Sequence, residues 1–336
     1  MEFKMQTKFI KALATAAVIA AAFGAQSSYA GQRVIKIDGS STVYPISEAV
    51  AEEFQNETKT RVTVGISGTG GGFKKFCRGE TDISDASRPI KEKEIDQCKA
   101  AGIQFIEIPV AFDALTVVIN PKNDFAKTMT VAELKKIWEP AAQGKLKTWK
   151  SINPAWPDQK LALFGPGADS GTFDYFTEAV VGKSKSSRGD FTASEDDNVL
   201  VKGVAGDEGG LGYFGYAYYE ENKDILTAVA VKKDAASKGV LPSKEAIEDG
   251  TYTPLARPIF IYVNATRATF DPKLKAFVDY YLAKSKPLIE EVKYVPLPTA
   301  EQAAVVAHWK ALKPGSGFGG KAQVGVKMSD ILKNIK

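Results

Sequence analysis

Hydrophobic and polar positions along this chain alternate between two periods. Short apolar runs at 34–37, 62–66, 103–110, 114–120 and 161–164 read as strands, and 211–214, 227–231 and 259–263 repeat the pattern later. Between them the spacing turns helical. Ile46, Ala49, Val50 and Phe54 fall on one face of a helix over 46–54, and 73–77, 131–138, 173–181 and 274–283 read as further helices. Strands that alternate with helices predict an α/β protein built on parallel sheets. Two β-rich runs, 114–121 (ALTVVINP) and 256–264 (ARPIFIYVN), stand where a first lobe would end and later resume, which suggests a middle lobe inserted into a discontinuous one. They read equally as ordinary core strands, since periodicity does not separate the two cases.

The N-terminus carries a different pattern. Lys4, Lys8 and Lys11 lead into an apolar run over 12–23 and then Ser28-Tyr29-Ala30, which is a secretory signal peptide with a small-x-small cleavage site after residue 30. The apolar run is too short to cross a hydrocarbon core of about 30 Å. Cleavage removes three Lys and one Glu and lowers the net charge from +4 to +2, too balanced for a nucleic-acid-binding surface. The remaining chain exceeds what one hydrophobic core organises, so two domains are expected. Its two cysteines, Cys77 and Cys98, are expected to form a disulfide in an oxidising compartment, although spacing alone does not bring their Cα atoms together. With a single histidine, His308, there is no zinc set for them to join.

Candidate chemistry concentrates in four loops. Asp38-Gly39-Ser40-Ser41-Thr42, Ser67-Gly68-Thr69-Gly70-Gly71-Gly72 and Gly167-Ala168-Asp169-Ser170-Gly171-Thr172 each lie between a predicted strand and a predicted helix. There, hydroxyls and flexible backbone meet the positive end of a helix, where an oxyanion binds without a counter-cation. Any one of these loops is adequately explained as an N-cap. Three at the same end of parallel strands point to one convergent site. The fourth loop, Asp82-Ile83-Ser84-Asp85-Ala86-Ser87-Arg88-Pro89-Ile90, offers an arginine whose planar fork suits a tetrahedral oxyanion and whose backbone Pro89 holds extended. An isolated arginine serves more commonly in a surface ion pair. None of the loops has P-loop or dinucleotide-binding spacing, so ATP and NAD are disfavoured. An exported phosphohydrolase acting through Ser170 or Thr172 lacks a nucleophile elbow and a metal-ligand cluster. The aromatic cluster Tyr213, Phe214, Tyr216, Tyr218 and Tyr219 would suit an adhesive surface, but core and lobe-contact packing explains it more simply.

Taken together, the segments 37–45, 67–73, 82–90 and 169–173 resemble the successive signatures of the periplasmic phosphate-binding proteins of Pst ABC transporters. The similarity runs through nearly the whole mature chain and is strongest to the branch with an Ala-Ser-Glu-Asp-Asp-Asn segment, here 193–198, and Gly-Tyr-Phe-Gly-Tyr-Ala-Tyr-Tyr, here 212–219. This resemblance implies a type II periplasmic-binding-protein fold, with lobe I over 31–115 and 260–336, lobe II over 116–259, and mixed, mostly parallel sheets joined by two hinge strands. It implies a periplasmic monomer without cofactor or metal that captures inorganic phosphate in the cleft and delivers it to an inner-membrane ABC permease. Ser41, Thr42 and Val43 correspond to the first phosphate loop, Ser67, Gly68, Thr69, Gly70 and Gly71 to the second, and Ser170, Gly171 and Thr172 to the third, with Ser87 and Asp169 alongside. Two positions depart from the better-known branch: Pro166 stands where it has an arginine, and Arg88 where it has the aspartate that accepts the proton of hydrogen phosphate. Arg88 and Arg188 are the expected substitutes for the missing charge, and Asp85, Asp169 or Asp38 for the missing acceptor. Sulfate and arsenate are the alternative ligands.

Overall fold

The computed structural model describes residues 33–321 and 324–325; the signal peptide expected over 1–30 lies outside them. In chain order the elements begin with β1 (Val34–Gly39), α1 (Tyr44–Thr58), β2 (Arg61–Ile66), α2 (Gly68–Cys77), β3 (Ile83–Ala86), α3 (Glu92–Ala100) and β4 (Phe105–Ile119). Next come β5 (Thr128–Thr130), α4 (Val131–Trp138), β6 (Ala162–Pro166), α5 (Gly171–Phe176), β7 (Thr192–Ser194), α6 (Asp197–Gly206), β8 (Gly210–Gly215) and α7 (Tyr216–Glu221). The remainder is β9 (Thr227–Ala228), β10 (Ala230–Lys232), α8 (Lys244–Glu248), β11 (Ala256–Asn264), α9 (Ala265–Phe270), α10 (Pro272–Glu291), β12 (Val295–Pro296) and α11 (Thr299–Lys310).

The main sheet runs β2-β1-β3-β11-β4-β8-β6-β7, and β4 joins its two halves. Every residue of this long strand is buried, as a continuous apolar run covered on both faces requires. Its first part pairs antiparallel with β11, from Phe105↔Asn264 to Ala114↔Ala256. From Leu115 onward it pairs antiparallel with β8 instead. Within each half the strands that precede the loops are parallel: β1 with β3, and β6 with both β8 and β7. Their C-terminal ends therefore face the junction from both sides.

The apolar spacing of α1 buries Ile46, Val50 and Phe54, and Phe54 meets Phe277 of α10 edge-on with ring centroids 5.2 Å apart. Burying one such side chain stabilises the fold by about 1.5–3 kcal/mol. Helix α4 starts at a capping box, Thr130 accepting from the Glu133 amide while Glu133 accepts from the Thr130 amide. Cys77 and Cys98 are disulfide-bonded with Cα atoms 4.2 Å apart, tying the end of α2 to α3. Closing a loop of that length contributes about 3 kcal/mol.

The structure revises several sequence expectations. The strands expected at 103–110 and 114–120 are one strand, β4, because β8 takes over its pairing at Leu115 directly after β11 leaves it at Ala114. The strand expected at 227–231 divides into β9, which pairs with β4, and β10, which pairs with β5. Helices α3, α6, α7, α8, α9 and α11 lie outside the helices expected from the sequence; α3 buries only Cys98, so its polar sequence carries no apolar stripe to read. Over 256–264 the chain forms β11, which pairs along its whole length with the first part of β4 and, from Phe260 to Val263, with β3.

Candidate binding cleft

The loops that follow β1, β2, β3 and β6 converge at the junction of the half-sheets. In the first, Gly39 has φ +152°, and a Cβ there would lie 2.2 Å from the Asp85 carbonyl oxygen, so only glycine lets the loop lie against β3. The turn beyond it is closed internally: the Ser40 hydroxyl accepts from the Thr42 amide at 3.2 Å, and the Ser40 carbonyl accepts from the Val43 and Tyr44 amides at 3.2 and 3.0 Å. The amides of Ser40, Thr42, Val43 and Tyr44 are thus committed, and the Thr42 hydroxyl faces across the junction. In the loop after β6, Ser170 caps α5, its Oγ accepting from the amides of Thr172 (3.1 Å) and Phe173 (3.4 Å). That leaves Thr172 Oγ1, which lies 3.2 Å from Thr42 Oγ1 across the junction.

Arg257 on β11 joins these two hydroxyls. Its Nη2 donates to Thr172 Oγ1 at 2.7 Å and to Thr42 Oγ1 at 3.3 Å. On its other side Nη2 and Nε donate to Asp113 Oδ2 at 3.0 and 3.3 Å, Asp113 being its register partner on β4. The Tyr175 ring flanks the guanidinium, 5.6 Å from its carbon. Arg257 is completely buried, and its Nη1 finds no hydrogen-bond partner among the described residues. A buried guanidinium with unused donors is a costly arrangement unless an acceptor comes to it.

The second pair of hydroxyls stands beside the first. Thr69 Oγ1 accepts from the Ser87 amide at 3.1 Å and lies 3.1 Å from Ser87 Oγ. A Cβ on Gly171 would be 2.4 Å from Thr69 Oγ1 and 2.5 Å from Ser87 Oγ, so these hydroxyls press against the backbone immediately before Thr172. Four hydroxyls, the Gly171 backbone and one guanidinium thus share one buried place. Hydroxyls both donate and accept, so such a cradle suits an oxyanion in any protonation state.

Other expected site residues have different roles. Ser41 and Val43 flank Thr42, and the Ser41 carbonyl accepts from Tyr218 Oη at 3.0 Å. Gly68, Gly70 and Gly71 shape the start of α2; the Gly70 amide donates to the Asp169 carbonyl at 2.7 Å, and Ser67 Oγ donates to Asp38. Asp38 also holds Lys75 at 2.7 Å. Asp169 lies at the rim, paired with Lys74 at 2.8 Å and 40% exposed, so it serves the rim rather than the cradle. Asp85 is buried with Oδ1 accepting from Ser47 Oγ at 3.0 Å, and burial pushes its carboxyl up to about 8.

The two arginines expected from the sequence are spent elsewhere. Arg88 donates through Nη1 and Nη2 to Glu94 (2.8 and 2.7 Å) and through Nε to Asp174 (2.7 Å). Arg188 is held by Asp190 at 2.6 and 2.9 Å and by the carbonyls of Ile137 and Leu146, both at 3.2 Å, a structural tie to α4. Reading the sequence missed Arg257. The available signal was a lone arginine within an otherwise apolar strand, with the acids Glu107 and Asp113 in another.

Strand-to-helix loops from two half-sheets, meeting around a buried arginine, have the architecture of a cleft-type binding protein. Comparison with known proteins agrees. Residues 24–285 match the family model of a PBP superfamily domain. The chain is 50% identical over 322 residues to Protein SphX of Synechococcus elongatus, covering 96% of this chain and 94% of the relative. It is 41% identical over 278 residues to the phosphate-binding protein PstS of Staphylococcus saprophyticus, covering 82% and 84%. Among solved structures, a possible phosphate binding protein from Planctomyces limnophilus superposes with a TM-score of 0.62 at 48% identity, over 84% of this chain and 99% of that one. The chain belongs to the PBP superfamily and, within it, to the family of the PstS phosphate-binding proteins.

Proposed function

We propose that this protein captures inorganic phosphate between its two half-sheets and delivers it to an ABC permease, acting by binding and not by catalysis. The carrying observation is the convergence of Thr42 and Thr172 on Arg257, a buried cation with unused donors, with the Thr69 and Ser87 hydroxyls against the Gly171 backbone beside them. In this reading the half-sheets are lobes, and they hinge where β4 passes from β11 to β8 at Ala114 and Leu115 and where the chain returns at Leu255 and Ala256. The Leu115 amide donates to the Leu255 carbonyl at 2.8 Å, which keeps the two hinge segments side by side. Arg257 sits beside this hinge, so an ion drawn to it is reached by hydroxyls of both lobes only on closure. Arg257 supplies the charge that Pro166 does not.

The chemistry of Ser170 and Thr172 favours binding over hydrolysis. Ser170 Oγ is engaged by two amides of its own helix and Thr172 Oγ1 by Arg257, a cation that cannot take a proton from a nucleophile. Among the described residues no helix is long and apolar enough to cross a membrane. Export with cleavage after residue 30, and function in the periplasm, complete the proposal. Isothermal calorimetry of the mature chain tests it: saturable 1:1 phosphate binding is expected, and the absence of heat at any phosphate concentration up to millimolar would remove the reading.

A further inference from the structure

Beyond the cradle, the rim of the cleft carries charges sorted by half-sheet. Lys74 on α2, with Arg88 and Lys91 after β3, belongs to the first half. Asp169 and Asp174, before and within α5, belong to the second. Lys74 Nζ reaches both carboxylate oxygens of Asp169, at 2.8 and 2.9 Å. Arg88 Nε reaches Asp174 Oδ2 at 2.7 Å and Lys91 Nζ reaches it at 2.9 Å, while Lys91 also donates to Ser184 Oγ at 2.8 Å. Lys74, Arg88, Lys91, Asp169 and Ser184 line one cavity of about 360 Å³, and Asp174 lies buried behind Arg88 and Lys91. We propose that Lys74, Arg88 and Lys91, facing Asp169 and Asp174, form a reversible ionic latch that sets how far the cleft stays closed without ligand and how fast the ion leaves.

The latch can open because its buried members have partners on their own side. Arg88 keeps Glu94, held through two nitrogens at 2.8 and 2.7 Å. Asp174 keeps Ser184, whose Oγ donates to Oδ1 at 3.2 Å, and Lys185, 4.0 Å away. Parting the halves thus strands neither charge, which is the outcome that makes breaking an ordinary buried pair so unfavourable. Burial opposes ionisation of Asp174, but Arg88 and Lys91 outweigh it and hold its carboxyl below the usual range. The two pairs also differ in exposure. Lys74 and Asp169 have side chains 56% and 40% exposed, whereas Arg88 and Asp174 are at 6% and 2%. Salt screens the first and scarcely reaches the second.

The inference rests on the proposed hinge, and its test reads the ligand-free protein so that it stands apart from the phosphate assignment. Spin labels on Glu53→Cys in α1 and Lys202→Cys in α6, both exposed, report the distance between half-sheets in the mature, disulfide-intact chain. Asp174→Asn is expected to lower the closed-to-open ratio about tenfold. Lys74→Asp is expected to lower it about threefold, and the charge swap Lys74→Asp with Asp169→Lys to restore it to within about twofold. Raising salt to about 0.5 M should reproduce the Lys74→Asp effect and not the Asp174→Asn effect. Stopped-flow phosphate release should accelerate in the same order. An unchanged distance distribution in Asp174→Asn, or a swap that fails to restore the Lys74→Asp loss, overturns the latch. Absence of phosphate binding overturns the functional reading and leaves the distance result standing.

Discussion

Removing Arg257 separates the arginine of the cradle from the two arginines the sequence pointed to. In Arg257→Ala the bound anion loses at least one charge-assisted hydrogen bond, worth about 1.5–3 kcal/mol, and gains the uncompensated charge of Asp113 as a neighbour. Together these amount to about 2.7 kcal/mol, a roughly hundredfold rise in Kd. The same substitution leaves Asp113 fully buried and without its cation, which costs the fold about 3–5 kcal/mol. Arg257→Leu combined with Asp113→Asn separates the two effects. Asparagine still accepts from the Tyr216 amide, which meets Asp113 Oδ1 at 3.2 Å, and no charge is stranded. Stability, measured by urea unfolding, should return to within about 1–2 kcal/mol of the parent. Phosphate affinity, measured by calorimetry, should stay about a hundredfold weaker. Arg188→Ala should show the converse, with Kd within about threefold of the parent and a loss of stability from the Asp190 and carbonyl contacts. The reasoning is refuted if Arg188→Ala weakens phosphate binding as much as Arg257→Ala does, or if the Arg257→Leu/Asp113→Asn chain binds within threefold of the parent.

Two further outcomes follow from single positions. Gly171→Ala would put a methyl group 2.4 Å from Thr69 Oγ1 and 2.5 Å from Ser87 Oγ; both hydroxyls are side-chain ends that can swing aside, so the fold should survive while phosphate affinity drops tenfold or more, and unaltered calorimetric affinity would show that Gly171 is not part of the cradle. Asp85 has its carboxyl raised to about 8 by burial, with Asp38 adding to the rise, so the folded chain holds a proton that the unfolded chain releases above about pH 4. Its contribution to stability is complete below that pH and declines by about 1.4 kcal/mol per unit as pH climbs toward 8. Asp85→Asn should remove that part of the slope in urea unfolding at pH 5, 6 and 7, and identical slopes in both proteins would contradict the assignment.

How much of this was legible depended on what each feature buries. Helix α1 could be read because Ile46, Val50 and Phe54 return every fourth residue to one core, whereas α3 commits only Cys98 and so leaves no stripe. The loops could be read because Ser, Thr and Gly before a helix have few alternative explanations, and Thr42, Thr69, Ser87, Gly171 and Thr172 do meet. Their individual roles could not, since a hydroxyl that caps a helix, like Ser170, and one that faces across the junction, like Thr172, look alike until the amides are assigned. Arg88 and Arg188 drew attention because they sit in polar loops, and that setting is what supplies Glu94, Asp174 and Asp190 to neutralise them.

Arg257 shows the opposite logic. An arginine within the apolar run ARPIFIYVN has no local polar company, and neither has Asp113 within FIEIPVAFDALTVVI. A charge carried into a buried strand is tolerated only with a partner, so a strand whose one cation is Arg257 and a strand whose acids are Glu107 and Asp113 argue for an ion pair between them, and the register decides which acid takes part. The register does place Arg257 against Asp113, one residue before the point where β4 leaves β11. That position has a functional consequence. A cation neutralised by a single carboxylate on its own half-sheet keeps its remaining donors for whatever the other half-sheet brings. Here the other half-sheet brings Thr172. In the proposed function, closing the hinge and completing the shell around an oxyanion are then one event, because Arg257 is built into the strand pair about which the halves would turn.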